Sequence, residues 1–151
     1  MIKAQTSLQW ADILSSGNRV FIGSNAAVPT ALIDDMIENS ADLSDIELVH
    51  ILTLGSPRWA QPEYRQLFKI NSMFLGPGVR EEVGAGYADY TPCFLSEIPA
   101  LFTEEILRLD VALIMVSEPD EFGYCSLGVS VDVVKSAAQS AKLVIAQVNS
   151  Q

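Results

Sequence analysis

The sequence predicts an α/β fold: a layered, mostly parallel sheet with helices on both of its faces. Apolar segments alternate with amphipathic segments along the 151 residues, which is the order of strands and helices in such folds. The apolar segments are continuous, as expected of parallel strands that are covered on both faces. Hydrophobic residues make up 49% of the chain, so a single domain of this length can bury a substantial core.

Five segments are predicted as strands because each is a continuous apolar run that ends at Gly or Ser. They cover residues 19–23, 46–55, 70–78, 110–117 and 142–150. The run "DVALIMVS" at 110–117 is the clearest of them. Residues 91–102, "TPCFLSEIPALF", are mixed, and we expect a strand, a turn and a helix there. Crossovers between parallel strands are right-handed, which gives a layered sheet.

Four other segments are predicted as helices. They are residues 8–16, a segment that begins at Pro29, residues 79–90 and residues 131–141. Proline suits the first turn of a helix, where its missing N–H has no partner. The apolar residues from Ala31 to Ile37 then recur at helical spacing. Ser130 is predicted to cap the helix at 131–141.

The charge pattern argues against nucleic acid as a partner. Nineteen acidic residues against nine basic ones give a formal net charge of -10, whereas phosphate backbones are bound by clustered Lys and Arg. The acidic segment 34–47 contains no basic residue and is interpreted as a solvated helix face. Four of the nine bases lie close together, so an anionic ligand is expected near them. They are Arg58, Arg65, Lys69 and Arg80.

Several site types are not supported by the sequence. Cys93 and Cys125 are isolated, without the ligand spacing of a zinc site, and we expect neither a metal nor a tightly bound cofactor. His50 lies in an apolar run and is expected to be a buried, hydrogen-bonded sheet residue. No apolar stretch reaches 18 residues, and the polar start of the chain is unlike a secretory signal. We therefore expect a cytoplasmic protein with reduced thiols and no membrane contact.

The turn "GSNAAVP" at 23–29 is the first candidate binding element. Ligands of open parallel sheets bind beyond the carboxyl ends of the strands, where this turn lies. Gly23 permits close backbone approach, and the N–H groups of Ser24 to Ala27 precede a helix N-terminus. They are suited to a carboxylate, a phosphate or an oxyanion. A tight turn packed under a neighbouring loop explains the same residues equally well, and the glycine spacing of nucleotide-binding loops is missing.

Two further strand-end loops carry candidate ligand contacts. In "GYCSLGVS" at 123–130, Ser126 and Gly128 are candidates. In "LGPGVREE", Arg80 follows a strand end, and its planar guanidinium is suited to a bidentate contact with a carboxylate. Pairing of Arg80 with Glu81, Glu82 or another neighbour is the alternative.

Three segments together resemble a known family. They are "VFIGSNAAVPTALI", "GVREEVGAGYADYTPCFLSEIPALF" and "DVALIMVSEPDEFGYCSLGVSVDVV". They resemble the amino-terminal part of the acetyl-CoA hydrolase/transferase family. These are class I coenzyme A transferases, among them 4-hydroxybutyrate and butyrate:acetate CoA-transferases, within a superfamily of folds shared with ribose-phosphate isomerases. The family is longer, with two α/β halves and the active site between them, and "AQVNSQ" resembles the end of the first half.

The resemblance implies transfer of CoA between an acyl-CoA and a small carboxylate through a glutamyl-CoA thioester. The nucleophilic glutamate and the CoA-binding turn belong to the second half, and no glutamate of this chain matches that motif. Residues 1–151 are then an amino-terminal domain that is inactive alone, a partner of the carboxyl-terminal domain, with CoA as a substrate of the complete enzyme. This chain would supply the acyl and carboxylate side of the cleft. The residues expected there are Ser24, Asn25, Arg80, Ser126 and Gly128.

Two alternatives stay open beside this interpretation. A stand-alone module that binds a small carboxylate or acyl group without catalysis would use the same residues. A sugar-phosphate isomerase would need an acid/base pair that we do not find. The sequence does not decide between hydrolysis and transfer. The high apolar fraction predicts buried partner surface and hence a homo-oligomer.

Overall fold

The computed structural model describes residues 7–150; the first six residues and Gln151 of the predicted domain lie outside that range. Six parallel strands form one sheet. The strands are β1 (Arg19–Ile22), β2 (Ile46–His50), β3 (Phe68–Ser72), β4 (Ala88–Tyr90), β5 (Val111–Ser117) and β6 (Leu143–Asn149). The α-helices are α1 (Trp10–Ile13), α2 (Thr30–Glu38), α3 (Pro77–Gly84), α4 (Ile98–Thr103) and α5 (Val134–Ser140). Two 3₁₀ segments, Arg58–Ala60 and Pro62–Tyr64, lie between β2 and β3.

The strand order is β4-β3-β2-β1-β5-β6, so the chain reverses its direction of travel across the sheet after β4. Right-handed crossovers made in opposite directions place their helices on opposite faces. The chain therefore leaves β1 toward one face and leaves β5, its neighbour, toward the other. All six strands end at the same edge of the sheet, which we call the carboxyl edge.

Two apolar cores cover the two faces of the sheet. Val20 and Ile22 of β1 belong to the core formed with α1 and α2, which includes Trp10 and Met36. Phe21, between them in the strand, points to the other core and meets Phe102 of α4 edge-to-face at 5.6 Å between ring centroids. Successive side chains of a strand point to opposite faces, so a continuous apolar run supplies both cores. The predicted layered α/β fold is confirmed.

Several element boundaries differ from the sequence prediction. The predicted helix at 79–90 is wrong at its end: α3 stops at Gly84, and Ala88–Tyr90 pairs with β3 as an edge strand. A segment of three residues that includes Asp89 is too short and too polar for its sequence pattern to predict a strand. No strand forms at 91–102, where Glu97 holds a turn by accepting the Phe94 N–H at 2.9 Å before α4 begins.

The predicted cap at Ser130 is also wrong. Helix α5 begins at Val134, and Val133 is its N-cap without a side-chain hydrogen bond. Residues 131–133 are extended or turning instead, because the carboxylate of Asp132 is engaged with another part of the chain, as described below.

The described residues offer no membrane span and no metal cluster. Among the helices of residues 7–150, none has the length and hydropathy needed to cross a membrane. Within the same range, no three His, Cys, Asp or Glu side chains are grouped to hold a metal ion. Cys93 and Cys125 are both free thiols.

His50 ends β2 as a buried residue, with 1% of its surface exposed. Its Nδ1 lies 3.4 Å from the Thr53 hydroxyl, and its ring meets Trp59 edge-to-face at 4.8 Å. Its Nε2 has no hydrogen-bond partner among the described residues. Burial lowers the pKa of His50 to about 4 from an ordinary 6.5, so the imidazole is neutral in the folded protein.

We predict that His50 makes the protein less stable in mild acid. In the unfolded chain His50 takes up a proton below pH 6.5, whereas in the folded protein it does so only near pH 4. The part of the free energy of unfolding that His50 contributes above pH 6.5 is therefore lost as the pH falls. The loss in the free energy of unfolding between pH 7 and pH 5 is about 2 kcal/mol from this group. Urea unfolding at both pH values checks it. His50→Leu should lack this part of the pH dependence, and an equal fall in both proteins would contradict the assignment.

Candidate acyl-binding cavity

A cavity of about 440 Å³ lies at the carboxyl edge, where β1 and β2 end. Pockets that bind small molecules have volumes of this order. Its walls come from the turn after β1, the first half of α2 and the loop after β2. The residues that line it are Asn25, Ala26, Val28, Thr30, Ile33, Asp34, Thr53, Leu54, Ser56, Pro57, Arg58 and Trp59.

The turn after β1 is held against both neighbouring strands. The Gly23 N–H donates to the Leu113 carbonyl of β5 at 2.9 Å, and the Asn25 N–H donates to the Leu52 carbonyl at 2.8 Å. A Cβ on Gly23 would lie 3.2 Å from the Ala27 carbonyl oxygen and 3.4 Å from that of Leu113, so a side chain would require the neighbouring backbone to shift by a few tenths of an ångström. Asn25 adopts a φ of 54°, a left-handed conformation that Asn tolerates better than most residues.

The row of free N–H groups expected in this turn is mostly used by the turn itself. The Asn25 N–H is bonded to Leu52, two residues beyond the end of β2, and the Ala27 N–H donates to the Ser24 carbonyl at 3.1 Å. The Ala26 N–H, on the cavity wall, has no hydrogen-bond partner among residues 7–150. Most of the turn is therefore tight packing, and the Ala26 N–H is one main-chain donor left unpaired, within residues 7–150, at a residue that lines the cavity.

Ser24 is fully buried and is not part of the cavity wall. Its hydroxyl donates to the carboxylate of Asp132, which lies just before α5 on the other side of the sheet. This contact joins the turn after β1 to the loop after β5. Strands β1 and β5 are neighbours in the sheet, and their connections leave toward opposite faces. In open sheets that point is the usual ligand crevice, but here a side-chain hydrogen bond bridges it and the cavity lies one strand away.

Arg58 is the one basic residue among those that line the cavity. Its Nη1 lies 3.0 Å from Glu38 and 3.3 Å from Asp34, both on α2, and its guanidinium lies over the Tyr64 ring. The hydrogen bond that Arg58 donates to the Glu38 carboxylate raises the pKa of Arg58 above its ordinary value. The acidic segment is thus not only a solvated face, since it neutralises this arginine. The cavity wall carries no excess positive charge.

The other bases between residues 58 and 80 do not form a free cationic patch. Arg65 lies 2.9 Å from Glu82 and stacks on Tyr87, with its guanidinium carbon 3.4 Å from the ring centroid. Lys69 pairs with Asp45 at 2.9 Å. Where an anionic ligand was expected, most of the positive charge is therefore already neutralised by carboxylates.

Arg80 is exposed in the first half of α3 and is not one of the residues lining the cavity. It donates to the Leu75 carbonyl at 3.0 Å, and no ion pair joins it to Glu81 or Glu82. Its helix packs closely against the loop after β2, because a Cβ on Gly78 would lie 2.5 Å from the Gly55 carbonyl oxygen. A contact of Arg80 with a carboxylate ligand stays a prediction.

Ser126 and Gly128 lie in the loop after β5, also outside the cavity wall. The Ser126 N–H donates to the Ser117 hydroxyl at 2.9 Å, and the Ser126 hydroxyl accepts the Gly128 N–H at 3.1 Å. Of the five candidate residues, only Asn25 lines the cavity, while the others follow β1, β3 and β5 along the same edge. Thr53, Leu54 and Ser56 were missed as individual residues, although they lie in the strand-end segment "TLGSPRW".

Cys93 is not prepared for nucleophilic chemistry. Burial, and to a smaller extent the nearby charge of Glu97, raises the pKa of Cys93. Its Sγ lies 3.5 Å from the Thr91 carbonyl oxygen. A thiol with a raised pKa is poorly ionised at neutral pH, so Cys93 is a poor nucleophile.

Residues 3–151 match the family model described as acetyl-CoA hydrolase/transferase N-terminal domain. The chain belongs to this family. It is 43% identical over 136 residues to the 4-hydroxybutyrate coenzyme A transferase of Clostridium kluyveri, covering 90% of this chain and 32% of that protein. It is 46% identical over 140 residues to a succinyl-CoA:acetate/propanoyl-CoA:succinate CoA transferase of Fasciola hepatica, covering 91% of this chain and 29% of that one.

Two solved structures have the same fold as this chain. The 4-hydroxybutyrate CoA-transferase of Porphyromonas gingivalis aligns with a TM-score of 0.73 at 34% identity, over 93% of this chain and 31% of that protein. RipA of Yersinia pestis aligns with a TM-score of 0.82 at 27% identity, over 93% and 36% of the two chains. The chain spans about a third of the length of these relatives. The predicted resemblance and its restriction to the amino-terminal part are confirmed.

We predict that the Ser24–Asp132 contact stabilises the fold asymmetrically. Asp132→Ala leaves the buried Ser24 hydroxyl without an acceptor, which costs about 1–3 kcal/mol. Ser24→Ala leaves only an exposed carboxylate, which water can solvate, so its cost is smaller. In a double-mutant cycle measured by urea unfolding, Asp132→Ala should have little effect in the Ser24→Ala background. Equal and additive effects of the two substitutions would show that the contact is not coupled as the structure has it.

Proposed function

We propose that this chain is the acyl-binding, amino-terminal domain of an acyl-CoA:carboxylate CoA-transferase. The observation that carries the proposal is a ligand-sized cavity at the carboxyl edge of a domain that belongs to the acetyl-CoA hydrolase/transferase family. The relatives named above are CoA transferases about three times as long as this chain. On this view the reaction needs the part of the protein that those relatives have in addition.

The composition of the cavity wall supports a short acyl group as its occupant. Ala26, Val28 and Leu54 supply apolar surface, while Asn25 and Thr53 supply polar side chains at the strand ends. The positive charge of the wall is balanced by Asp34 and Glu38, and the chain carries a net charge of -10. The phosphates of CoA would be repelled here, so the nucleotide end of CoA is proposed to bind to the remainder of the enzyme.

The proposed chemistry follows the family resemblance. A glutamate carboxylate from outside this chain attacks the thioester carbonyl; the C–S bond breaks, CoA leaves as a thiolate, and an acyl-glutamyl anhydride remains. The thiolate then attacks the glutamyl carbonyl, which releases the first carboxylate and leaves a glutamyl-CoA thioester. A second carboxylate reverses both steps, and water in its place gives hydrolysis. Each addition creates an oxyanion, for which the free Ala26 N–H is a suitable donor.

A binding module for a small carboxylate or acyl group is the second candidate. The ligand-sized cavity between the turn after β1 and α2 would serve such a module equally well. Such a module would bind its ligand and yet support no CoA transfer when joined to the rest of a transferase. We also propose a cytoplasmic location, consistent with two free cysteines, and a homo-oligomeric enzyme.

A chimera tests the proposed function. The matching third of the Clostridium kluyveri 4-hydroxybutyrate coenzyme A transferase is replaced by this chain, which is 43% identical to it. We expect the chimera to exchange CoA between acetyl-CoA and labelled acetate, and the isolated chain to show no exchange. Cooperative thermal unfolding verifies that the chimera is folded. Turnover of acyl-CoA by the isolated chain, or a folded chimera that binds acyl-CoA without exchange, would overturn the proposal.

The cavity is tested separately with the isolated chain. At about ten times its Kd, butyrate should raise the Tm by roughly 3–6 °C, since a ligand that binds only the folded state adds about 1.4 kcal/mol there. Ala26→Leu places a larger side chain on the cavity wall and should abolish the shift. Ala11→Leu, on the exposed side of α1, is the matched control. A shift produced by CoA without an acyl group would contradict the division of binding described above.

A further inference from the structure

The loop between β5 and α5 exposes apolar side chains that a folded domain ordinarily covers. We call residues 118–131 the aromatic loop. Phe122 and Tyr124 are 76% and 75% exposed, and Val129 is 83% exposed. Isolated apolar residues are common on protein surfaces, but several on one loop mark an interaction site.

The aromatic loop is ordered by its own hydrogen bonds. The Asp120 carboxylate accepts the N–H groups of Phe122 at 2.9 Å and Tyr124 at 2.8 Å, and the Asp120 N–H donates to the Tyr124 carbonyl at 2.9 Å. Ser117 donates its N–H to the Ser126 carbonyl at 2.9 Å. The two aromatic side chains therefore project from a fixed backbone, which lowers the entropic cost of burying them against a partner.

The same edge of the sheet exposes further large apolar residues. They follow β2, β3 and β4, and they are Leu54, Phe74, Phe94 and Leu95. One of them, Leu54, also lines the cavity, and all of them lie at the edge of the sheet at which the aromatic loop follows β5, so we treat them together as one apolar rim. A partner that covers this rim also closes the site.

The occupant of this surface is argued from length and charge. This chain matches about a third of each relative, so each relative has a further segment about twice as long as the matched one. The matched family model is an N-terminal domain. The aromatic loop also carries Glu118, Asp120 and Glu121, without a basic residue, so a partner surface with basic residues around an apolar centre fits it.

We infer that the aromatic loop is the docking surface for the carboxyl-terminal domain of the transferase, with Phe122 and Tyr124 buried against that domain. The inference rests on the proposed function, because it takes the partner to be the rest of the same enzyme. On this inference, the aromatic loop closes the cleft over the cavity when the two domains meet.

The test uses the chimera described above and its double variant Phe122→Ser/Tyr124→Ser. We expect the parent chimera to unfold in a single thermal transition and the double variant to unfold in two, with at least a tenfold loss of CoA exchange and increased binding of a hydrophobic dye. Ile106→Ser, at a 63% exposed residue in the connection that enters β5, is the matched control and should behave like the parent. The isolated chain with the double substitution should keep the parent Tm, since both side chains are exposed.

The outcomes separate this inference from the proposed function. If the parent chimera exchanges CoA and the double variant does so equally well in a single transition, the docking surface is wrong and the function stands. If the parent unfolds in one transition and the double variant in two, but neither exchanges CoA, the docking surface stands and the proposed function fails. If gel filtration shows that the double substitution only dissociates an oligomer, the occupant is a second copy and the inference is overturned.

Discussion

The close approach of three backbone segments at the end of β1 is the constraint on which the site depends. Strand β1 lies between β2 and β5, and the turn that follows it is hydrogen-bonded to both, through Gly23 on one side and Asn25 on the other. Little space remains for a side chain at Gly23. Because the turn is held on both sides, Ala26 is fixed on the cavity wall, and the cavity opens toward β2 instead of toward β5.

Charge at the carboxyl edge is balanced locally, which narrows what the domain can bind. Arg58 is neutralised by two carboxylates of α2, and Arg65 and Lys69 each have one acidic partner. An acidic domain whose cationic side chains are paired is a weak site for a polyanion, although its cavity has room for a short acyl chain. This balance supports our proposal that the phosphates of CoA and the acyl group contact different parts of the enzyme.

The site was predictable only where local sequence decides the geometry. Small residues after an apolar strand placed a binding element at the turn after β1, and Asn25 does line the cavity. Ser24 has the same small polar character, but it is buried against Asp132, which is distant in the chain. Arg80, Ser126 and Gly128 share the edge with Asn25 and not the cavity, because which strand ends lie side by side depends on the strand order.

By itself, the sequence determined that this chain is a layered α/β domain and an amino-terminal part of a CoA-transferase family. Both conclusions rest on local features of the sequence: continuous apolar runs, and segments that resemble the family. Tertiary structure alone decided that Ala88–Tyr90 is an edge strand, that Asp132 takes up the Ser24 hydroxyl, and that Arg58 is neutralised by α2. Each of these depends on a partner far away in the chain. The strength of such contacts is set by distances in space that no local pattern encodes.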